Sequence, residues 1–222
     1  MIRPEEADFQ NSKSSPYDWC GTNFFPFAVP DAKISGTIYT LTRPVLGVCM
    51  SDLTVLDRIA PNWEDQLYVD NQQHLPCPKS LLDYSLPNGL SVKAVEPLKR
   101  YRIDYVGIDD TELHVEFHSL MAPFDMNDPE MDPMAAGRIG KGWGGAAFSG
   151  HYEITGRITG EARLRGKVFK VDCVDTLDRS WGPRKERDNS NATWIHGSFG
   201  ERLTVHAFLA LDPARTNDFG AL

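Results

Sequence analysis

The sequence lacks the features that mark disulfide-rich, membrane-spanning or nucleic-acid-binding proteins. Its four cysteines are widely separated and form no C-x-x-C pair, which favours reduced, mostly buried thiols over a disulfide framework or a zinc site. No run approaches the ~20 apolar residues of a membrane span. Lys and Arg (23) are outnumbered by Asp and Glu (31), and the net charge of −8 argues against a surface that tracks nucleic-acid phosphates.

The amino-terminal stretch is polar and has no apolar segment of the kind found in signal peptides. We therefore expect a cytoplasmic protein without a membrane span, and we interpret the sequon at Asn191-Ala192-Thr193 as a chance match. A length of 222 residues suits one large or two small domains. Nothing in the composition indicates an oligomeric state.

Helical periodicity is almost absent, whereas alternation of apolar and polar residues dominates. The segment Thr111–Met121 shows it most clearly, because Leu113, Val115 and Phe117 would point one way and His114 the other. Pro87-Asn88-Gly89 predicts a turn. The predicted strands are 34–42, 45–56, 66–70, 81–86, 90–95, 98–107, 111–121, 151–159, 161–165, 168–175, 193–199 and 202–211, with an irregular segment over 178–191.

These strands predict an all-β fold, a lipocalin-like (calycin) antiparallel barrel followed by a second, incomplete barrel sheet. A ligand-holding barrel needs about eight strands, which only the first half supplies. The expected division is an amino-terminal barrel domain at 1–135, a glycine-rich linker at 136–150 and the start of a second domain at 151–222. Because the last strands are too few to close a barrel, we expect a truncated chain. A half-barrel packed on the first domain is the alternative.

One short segment carries a family resemblance. Asp178-Arg179-Ser180-Trp181-Gly182-Pro183-Arg184 resembles the D-R/H-S-W-G-P-R signature of two-domain lipocalin-like proteins. That family includes hydroxyneurosporene synthase, a carotenoid hydratase, and is structurally akin to the fungal lipocalin-like Diels–Alderases. The segment Gly150-His151-Tyr152-Glu153, which precedes the signature, also resembles this family, as does Leu86-Pro87-Asn88-Gly89-Leu90 in the first half. The resemblance implies two barrels side by side and an apolar pocket, but it does not settle the reaction.

The signature has two interpretations. In the first it is a wall of the pocket, with Trp181 against the ligand and Asp178 paired with Arg179 or Arg184 as a polar anchor. In the second it is structural, and Arg–Asp bonds tie a loop across the end of the barrel. Such pairs usually hold loops in place, which favours the second interpretation.

The last predicted hairpin places Trp194 and His196 on one face and His206 on a face of the next strand. Inside a barrel these imidazoles could protonate an alkene or take a proton from water, because the pKa of histidine lies near neutrality. Outside it they would be ordinary hydrogen-bonded histidines. We rank His196 above Asp178 as a catalytic acid, since neighbouring arginines would lower the pKa of Asp178.

No cofactor or metal is expected. On a strand His114, Glu116 and His118 would be too far apart for one ion, so they are better interpreted as solvated or lumen-lining residues. The glycines between Gly137 and Gly150 match no phosphate-binding motif.

The sequence thus predicts a protein that binds an apolar isoprenoid- or steroid-like molecule. Catalysis of a cofactor-independent hydration, isomerisation or cyclisation is the favoured hypothesis. A non-catalytic carrier is the alternative, and it would need no proton donor in the pocket. The candidate residues are His196 and Asp178 for catalysis and Trp181, Arg179, Arg184, Trp194 and His206 for ligand binding.

Overall fold

Strands make up almost all of the regular structure in the computed structural model. The structure describes residues 1–132, 135, 149–184 and 191–211. For 191–193 and 208–211 only the backbone is described. Four 3₁₀ helices are described, at Pro4–Ala7, Pro30–Ala32, Trp63–Asp65 and Gly200–Arg202. The strands are β1 (Trp19–Val29), β2 (Ile34–Arg43), β3 (Val48–Leu56), β4 (Tyr68–Pro76), β5 (Asp83–Ser85), β6 (Leu90–Glu96), β7 (Arg100–Val106), β8 (Glu112–Ser119), β9 (Phe124–Asp125), β10 (Gly150–Leu164), β11 (Lys167–Pro183), β12 (Asn191–Ser198) and β13 (Thr204–Leu211).

Eleven of these strands form one antiparallel sheet in the order β4-β3-β2-β1-β11-β10-β8-β7-β6-β5, with β9 paired to β10. The sheet is curled, because its two flanks touch. Tyr68 Oη on β4 lies 2.7 Å from Tyr105 Oη on β7, and Asn88, in the turn before β6, donates from Nδ2 to Ser51 Oγ on β3 (3.1 Å). The predicted all-β, lipocalin-like antiparallel fold is thereby confirmed.

The core follows the predicted alternation. On β8 the side chains of Leu113, Val115 and Phe117 are buried, whereas His114 and His118 point to solvent. Burial of each large apolar side chain contributes roughly 1.5–3 kcal/mol to folding, so the concave face of the curled sheet supplies much of the stability. In the part of the chain that the structure describes, no helix has the length and hydropathy needed to cross a membrane.

Strands β10 and β11 lie in the middle of this sheet. They fall in the predicted second domain, yet β10 pairs with β8 and β11 pairs with β1. The hairpin of β12 and β13 forms a separate two-stranded sheet. The predicted linker at 136–150 lies almost wholly outside the described residues, and the division into two barrel domains stays a prediction.

One strand was missed, and one sequence prediction was wrong. Residues 19–29 were not predicted as a strand, but they form β1, which is buried along most of its length between β2 and β11 and therefore shows no alternation. The predicted irregular segment at 178–191 is strand up to Pro183, because β1 and β10 pair with β11 on either side. Cross-strand pairing thus outweighs the poor strand propensity of Gly182 and Pro183.

Candidate active site

The candidate site lies on the face of β10 and β11 that the hairpin β12–β13 covers. Alternation along β10 puts His151, Glu153 and Thr155 on this face. The register of the pair sets Glu153 opposite Asp178 and Thr155 opposite Thr176. Directly opposite residues of an antiparallel pair have their Cβ atoms about 5 Å apart, so two carboxyls and two hydroxyls are concentrated in a small area.

The hairpin contributes a face of stacked rings. His196 and His206 are register partners, with ring centroids 5.9 Å apart and planes inclined by 14°. Trp194 stacks on His196 at 4.5 Å and makes an edge contact of 5.3 Å with Phe24 of β1. The tryptophan therefore fixes the hairpin on the sheet, and both predicted histidines face the carboxyls.

The two faces meet in a group that we call the histidine–carboxylate cluster: His151, Glu153, Asp175, Asp178, His196 and His206. His206 Nδ1 lies 3.0 Å from Glu153 Oε2, and His196 Nδ1 lies 2.9 Å from Asp175 Oδ1. The other oxygen of Glu153 is 3.5 Å from His151 Nε2. Each of the two hairpin histidines thus has its own carboxylate, and Glu153 lies between two imidazoles.

The pKa values of the cluster diverge. Burial raises the pKa of the Asp178 carboxyl to about 6; His151 opposes this shift and Glu153 adds to it. Asp175 raises the pKa of His196 against the effect of burial. Burial lowers the pKa of His206, although the Glu153 carboxylate partly compensates. Near neutral pH the site therefore holds a neutral imidazole at His206 and a carboxyl at Asp178 that retains part of its proton, which is the arrangement acid–base chemistry uses.

A row of hydroxyls leads away from His206. Its Nε2 atom lies 3.1 Å from Thr176 Oγ1, which in turn is 2.9 Å from Thr155 Oγ1. The Glu153 carboxylate contacts Nδ1 as an ion pair without hydrogen-bond geometry, and its negative charge favours the tautomer of His206 that carries its proton on Nδ1. Nε2 of this tautomer is an acceptor, and Thr176 donates to it.

A cavity of about 470 Å³ opens beside the cluster. Its walls combine large apolar side chains with two members of the cluster and the Thr155 hydroxyl. They consist of Leu120, Met121, Phe124, Glu153, Thr155, Glu201, Arg202, Leu203, Thr204 and His206. A polar pair at the side of an apolar cavity is the usual composition of a small-molecule site.

The signature segment divides between the two faces of β11. Asp178 belongs to the cluster, but Arg179 and Trp181 point into the core. Buried Arg179 donates to the carbonyls of Glu6 (3.0 Å) and Thr22 (3.2 Å) and also to that of Asp8. Because neighbouring strand residues point to opposite faces, Arg179 and Asp178 cannot form the predicted anchor on one face.

Trp181 and Arg184 of the signature make structural contacts. Trp181 is 8% exposed and packs edge-on against Tyr152, with ring centroids 6.2 Å apart. Arg184 donates to Tyr39 Oη (3.2 Å) and to Ser180 Oγ (3.1 Å). Of the predicted residues, the structure therefore brings together Asp178, Trp194, His196 and His206, and it separates Arg179 and Trp181 from them. Arg184 lies near enough to Asp178 for its charge to lower the pKa of that carboxyl.

Sequence reasoning missed Glu153, Asp175, His151 and the threonines. A signal was present for β10, since the run from His151 to Thr155 alternates and puts three polar side chains on one face. What the sequence could not supply was the register that sets this face against Asp178, or the fold of the hairpin over it. The predicted His114-x-Glu116-x-His118 set lies on the solvent side of β8, where His114 pairs with Asp104 at 2.7 Å.

The curled antiparallel sheet gives the chain a lipocalin-like fold, and the covered cluster beside a cavity is its candidate site. Residues 5–222 match the family described as a domain of unknown function, DUF7064, so the chain belongs to that family. The sequence matches no curated protein.

Among solved structures, kievitone hydratase from Nectria haematococca is similar over 91% of this chain and 60% of its own length, with 15% identity and a TM-score of 0.52. An AttH-like protein from Nitrosomonas europaea is similar over 80% of this chain and 55% of its own, with 13% identity and a TM-score of 0.47. The chain thus spans little more than half the length of these two proteins. At such identities the similarity to the hydratase concerns the fold.

Proposed function

We propose that this protein binds an apolar, unsaturated small molecule in the cavity beside β10 and catalyses a cofactor-independent hydration, isomerisation or cyclisation. The observation that carries the proposal is the Glu153–His206 pair, which lines a cavity whose other walls include Leu120, Met121 and Phe124. A carrier of hydrophobic ligands needs the apolar walls only, whereas a titratable pair in the wall serves proton transfer.

His206 is the proposed general base. Burial keeps its pKa low, so the imidazole is neutral near pH 7, and the charge of Glu153 stabilises the imidazolium that forms when it takes a proton. Asp178 is the proposed acid, since its carboxyl keeps part of its proton near pH 6. His196, held by Asp175, is a second proton donor in the cluster.

The walls favour a neutral substrate. Three carboxyls in the cluster repel anions, while Leu120, Met121, Phe124 and Leu203 offer apolar surface. A cavity of about 470 Å³ falls in the range of ordinary small-molecule sites, and an isoprenoid- or steroid-like skeleton has the right chemistry. The resemblance of the segment Asp178–Arg184 to the signature of the carotenoid-hydratase family supports this proposal, as does the hydratase among the proteins of similar fold.

The first experiment identifies the ligand and tests its conversion. Molecules retained by the purified protein are extracted and identified by mass spectrometry, and the protein is then incubated with them, and with neutral isoprenoid and steroid alkenes, in H₂¹⁸O and in D₂O. We expect incorporation of ¹⁸O for hydration, or of deuterium for isomerisation and proton-initiated cyclisation. Retention of an apolar ligand with no conversion would identify a carrier and contradict the proposal.

Two variants test the residues. His206→Gln and Glu153→Gln should each lower kcat by about 100-fold or more, the usual contribution of a general acid–base group. The matched control is His114→Gln, because His114 also pairs with a carboxylate but lies on the exposed side of β8. Equal activity of all three variants would exclude the pair as the proton-transfer group.

A further inference from the structure

The route from the Nε2 atom of His206 to the cavity runs through two hydroxyl groups. The Nε2 atom of His206 lies 3.1 Å from Thr176 Oγ1, and Nδ1 lies 3.0 Å from the Glu153 carboxylate in an ion-pair contact. Thr176 is 1% exposed and is absent from the cavity wall, whereas Thr155, 2.9 Å further along, belongs to that wall. His206 also lines the cavity, but its Nε2 atom faces Thr176, so the Thr155 hydroxyl is the point at which a bound molecule can exchange a proton with that nitrogen.

We propose that Thr155 and Thr176 form a proton relay between His206 Nε2 and the substrate, with Thr155 as the catalytic residue that contacts the substrate and Thr176 as the connecting group. This inference rests on the proposed function and assigns the path that its proton takes. The direction of the hydrogen bonds agrees with it. The Nδ1–H tautomer of His206 accepts at Nε2 from Thr176, which leaves the oxygen of Thr176 to accept from Thr155.

The relay accounts for every proton and electron pair in the addition of water to a double bond that is polarised by a conjugated carbonyl. The O–H bond of a water molecule breaks and its proton moves to Thr155, while the Thr155 proton moves to Thr176 and the Thr176 proton to His206 Nε2. The water oxygen bonds to one alkene carbon, and the π electrons move away toward the carbonyl. The reverse transfer protonates the neighbouring carbon and returns His206 to its neutral form.

Isosteric variants test the two hydroxyls separately. Thr155→Val and Thr176→Val each remove a hydroxyl at nearly constant volume, and we expect kcat to fall by about 100-fold or more with little change in KM. Thr155→Ser and Thr176→Ser retain the hydroxyl and should recover most of the activity. The control is Thr22→Val, since Thr22 is equally buried and its hydroxyl lies 2.8 Å from Ser180 Oγ, outside the relay.

A second measurement needs no substrate. ¹⁵N NMR of the imidazoles should show His206 with its proton on Nδ1 and a hydrogen-bonded Nε2, and Thr176→Val should shift the Nε2 resonance while Thr176→Ser leaves it nearly unchanged. A proton on Nε2 in the neutral wild-type imidazole would overturn the relay.

The two measurements distinguish the two proposals. Activity that survives in Thr155→Val would overturn the relay and leave the proposed function intact. A protein that converts no alkene would contradict the proposed function, and the relay with it, even if the NMR spectra showed the Nδ1–H tautomer. If activity is lost in the two valine variants and recovered in the two serine variants, the result supports both the proposed function and the relay.

Discussion

Glu153 and Asp178 are register partners on adjacent antiparallel strands, so two carboxyls face each other beneath the same hairpin. Like charges directly opposite on a sheet are unfavourable, and burial adds to the cost of ionising both. The pKa of Asp178, raised to about 6, is the consequence of this arrangement. The site therefore loses stability when its acid ionises, which gives the first of four predictions.

Asp178→Asn should change the dependence of stability on pH. The folded pKa of about 6 exceeds the ordinary value of 3.8, so the contribution of Asp178 to the free energy of unfolding falls as pH rises from about 4 to about 6 and changes little above that. The asparagine variant lacks this contribution. Each pKa unit corresponds to about 1.4 kcal/mol. Between pH 4 and pH 7 the free energy of unfolding of the variant, relative to that of the wild type, should therefore rise by about 1–3 kcal/mol.

Urea unfolding at both pH values measures this difference, and Asp83→Asn is the control because Asp83 is exposed on β5. A wild-type-minus-variant difference that stays constant with pH would show that Asp178 ionises normally.

Asp175→Asn should lower the pKa of His196. The Asp175 carboxylate raises that pKa in the folded state, so its contribution to stability is full below the ordinary histidine pKa and is lost as pH rises through the folded value. NMR titration of the imidazoles should find that His196 titrates above His206 in the wild type, and that the variant reduces the gap. Asp104→Asn, the matched control, should move His114 and leave His196 in place.

Arg179→Met should destabilise the fold strongly. The change removes the donors that Arg179 supplies to the carbonyls of Glu6, Asp8 and Thr22. The carbonyl of Asp8 still accepts from Gln10 Nε2, but a buried acceptor left without a donor costs about 1–3 kcal/mol. We expect a loss of roughly 2–5 kcal/mol in chemical denaturation, together with faster proteolysis of the segment around Pro4–Ala7. Arg157→Met is the control, because the ion pair of Arg157 with Glu201 is half exposed. A loss similar to that of the control would exclude a structural role for Arg179.

Gly156→Ala should also destabilise the protein, since a Cβ atom there would lie 2.2 Å from the ring of Phe117 and 2.7 Å from the carbonyl oxygen of His118. Overpacking of this kind costs about 1–3 kcal/mol. Gly197→Ala is the matched strand position, because its Cβ would meet only Phe199 at 3.8 Å. Thermal unfolding of the two variants should differ clearly, and equal Tm values would contradict the close approach of β10 to β8.

The sequence by itself determined the strands that alternate. β2, β6, β7 and β8 were predicted within a few residues, because one face of each is buried and the other is polar. The turn at Asn88-Gly89 follows from the positive φ that Gly89 adopts. It also singled out His196, His206, Trp194 and Asp178. Side-chain chemistry and parity along a strand are local properties, so they can be read from neighbouring residues.

The tertiary structure alone decided which of these residues meet. Pairing of β1 with β11 extends the strand through the signature segment and sends Arg179 and Trp181 into the core. The register of β10 against β11 sets Glu153 opposite Asp178, and the fold of the hairpin brings His206 to Glu153. These contacts join residues far apart in the chain. They depend on register and on the curl of the whole sheet, which no local pattern of residues encodes.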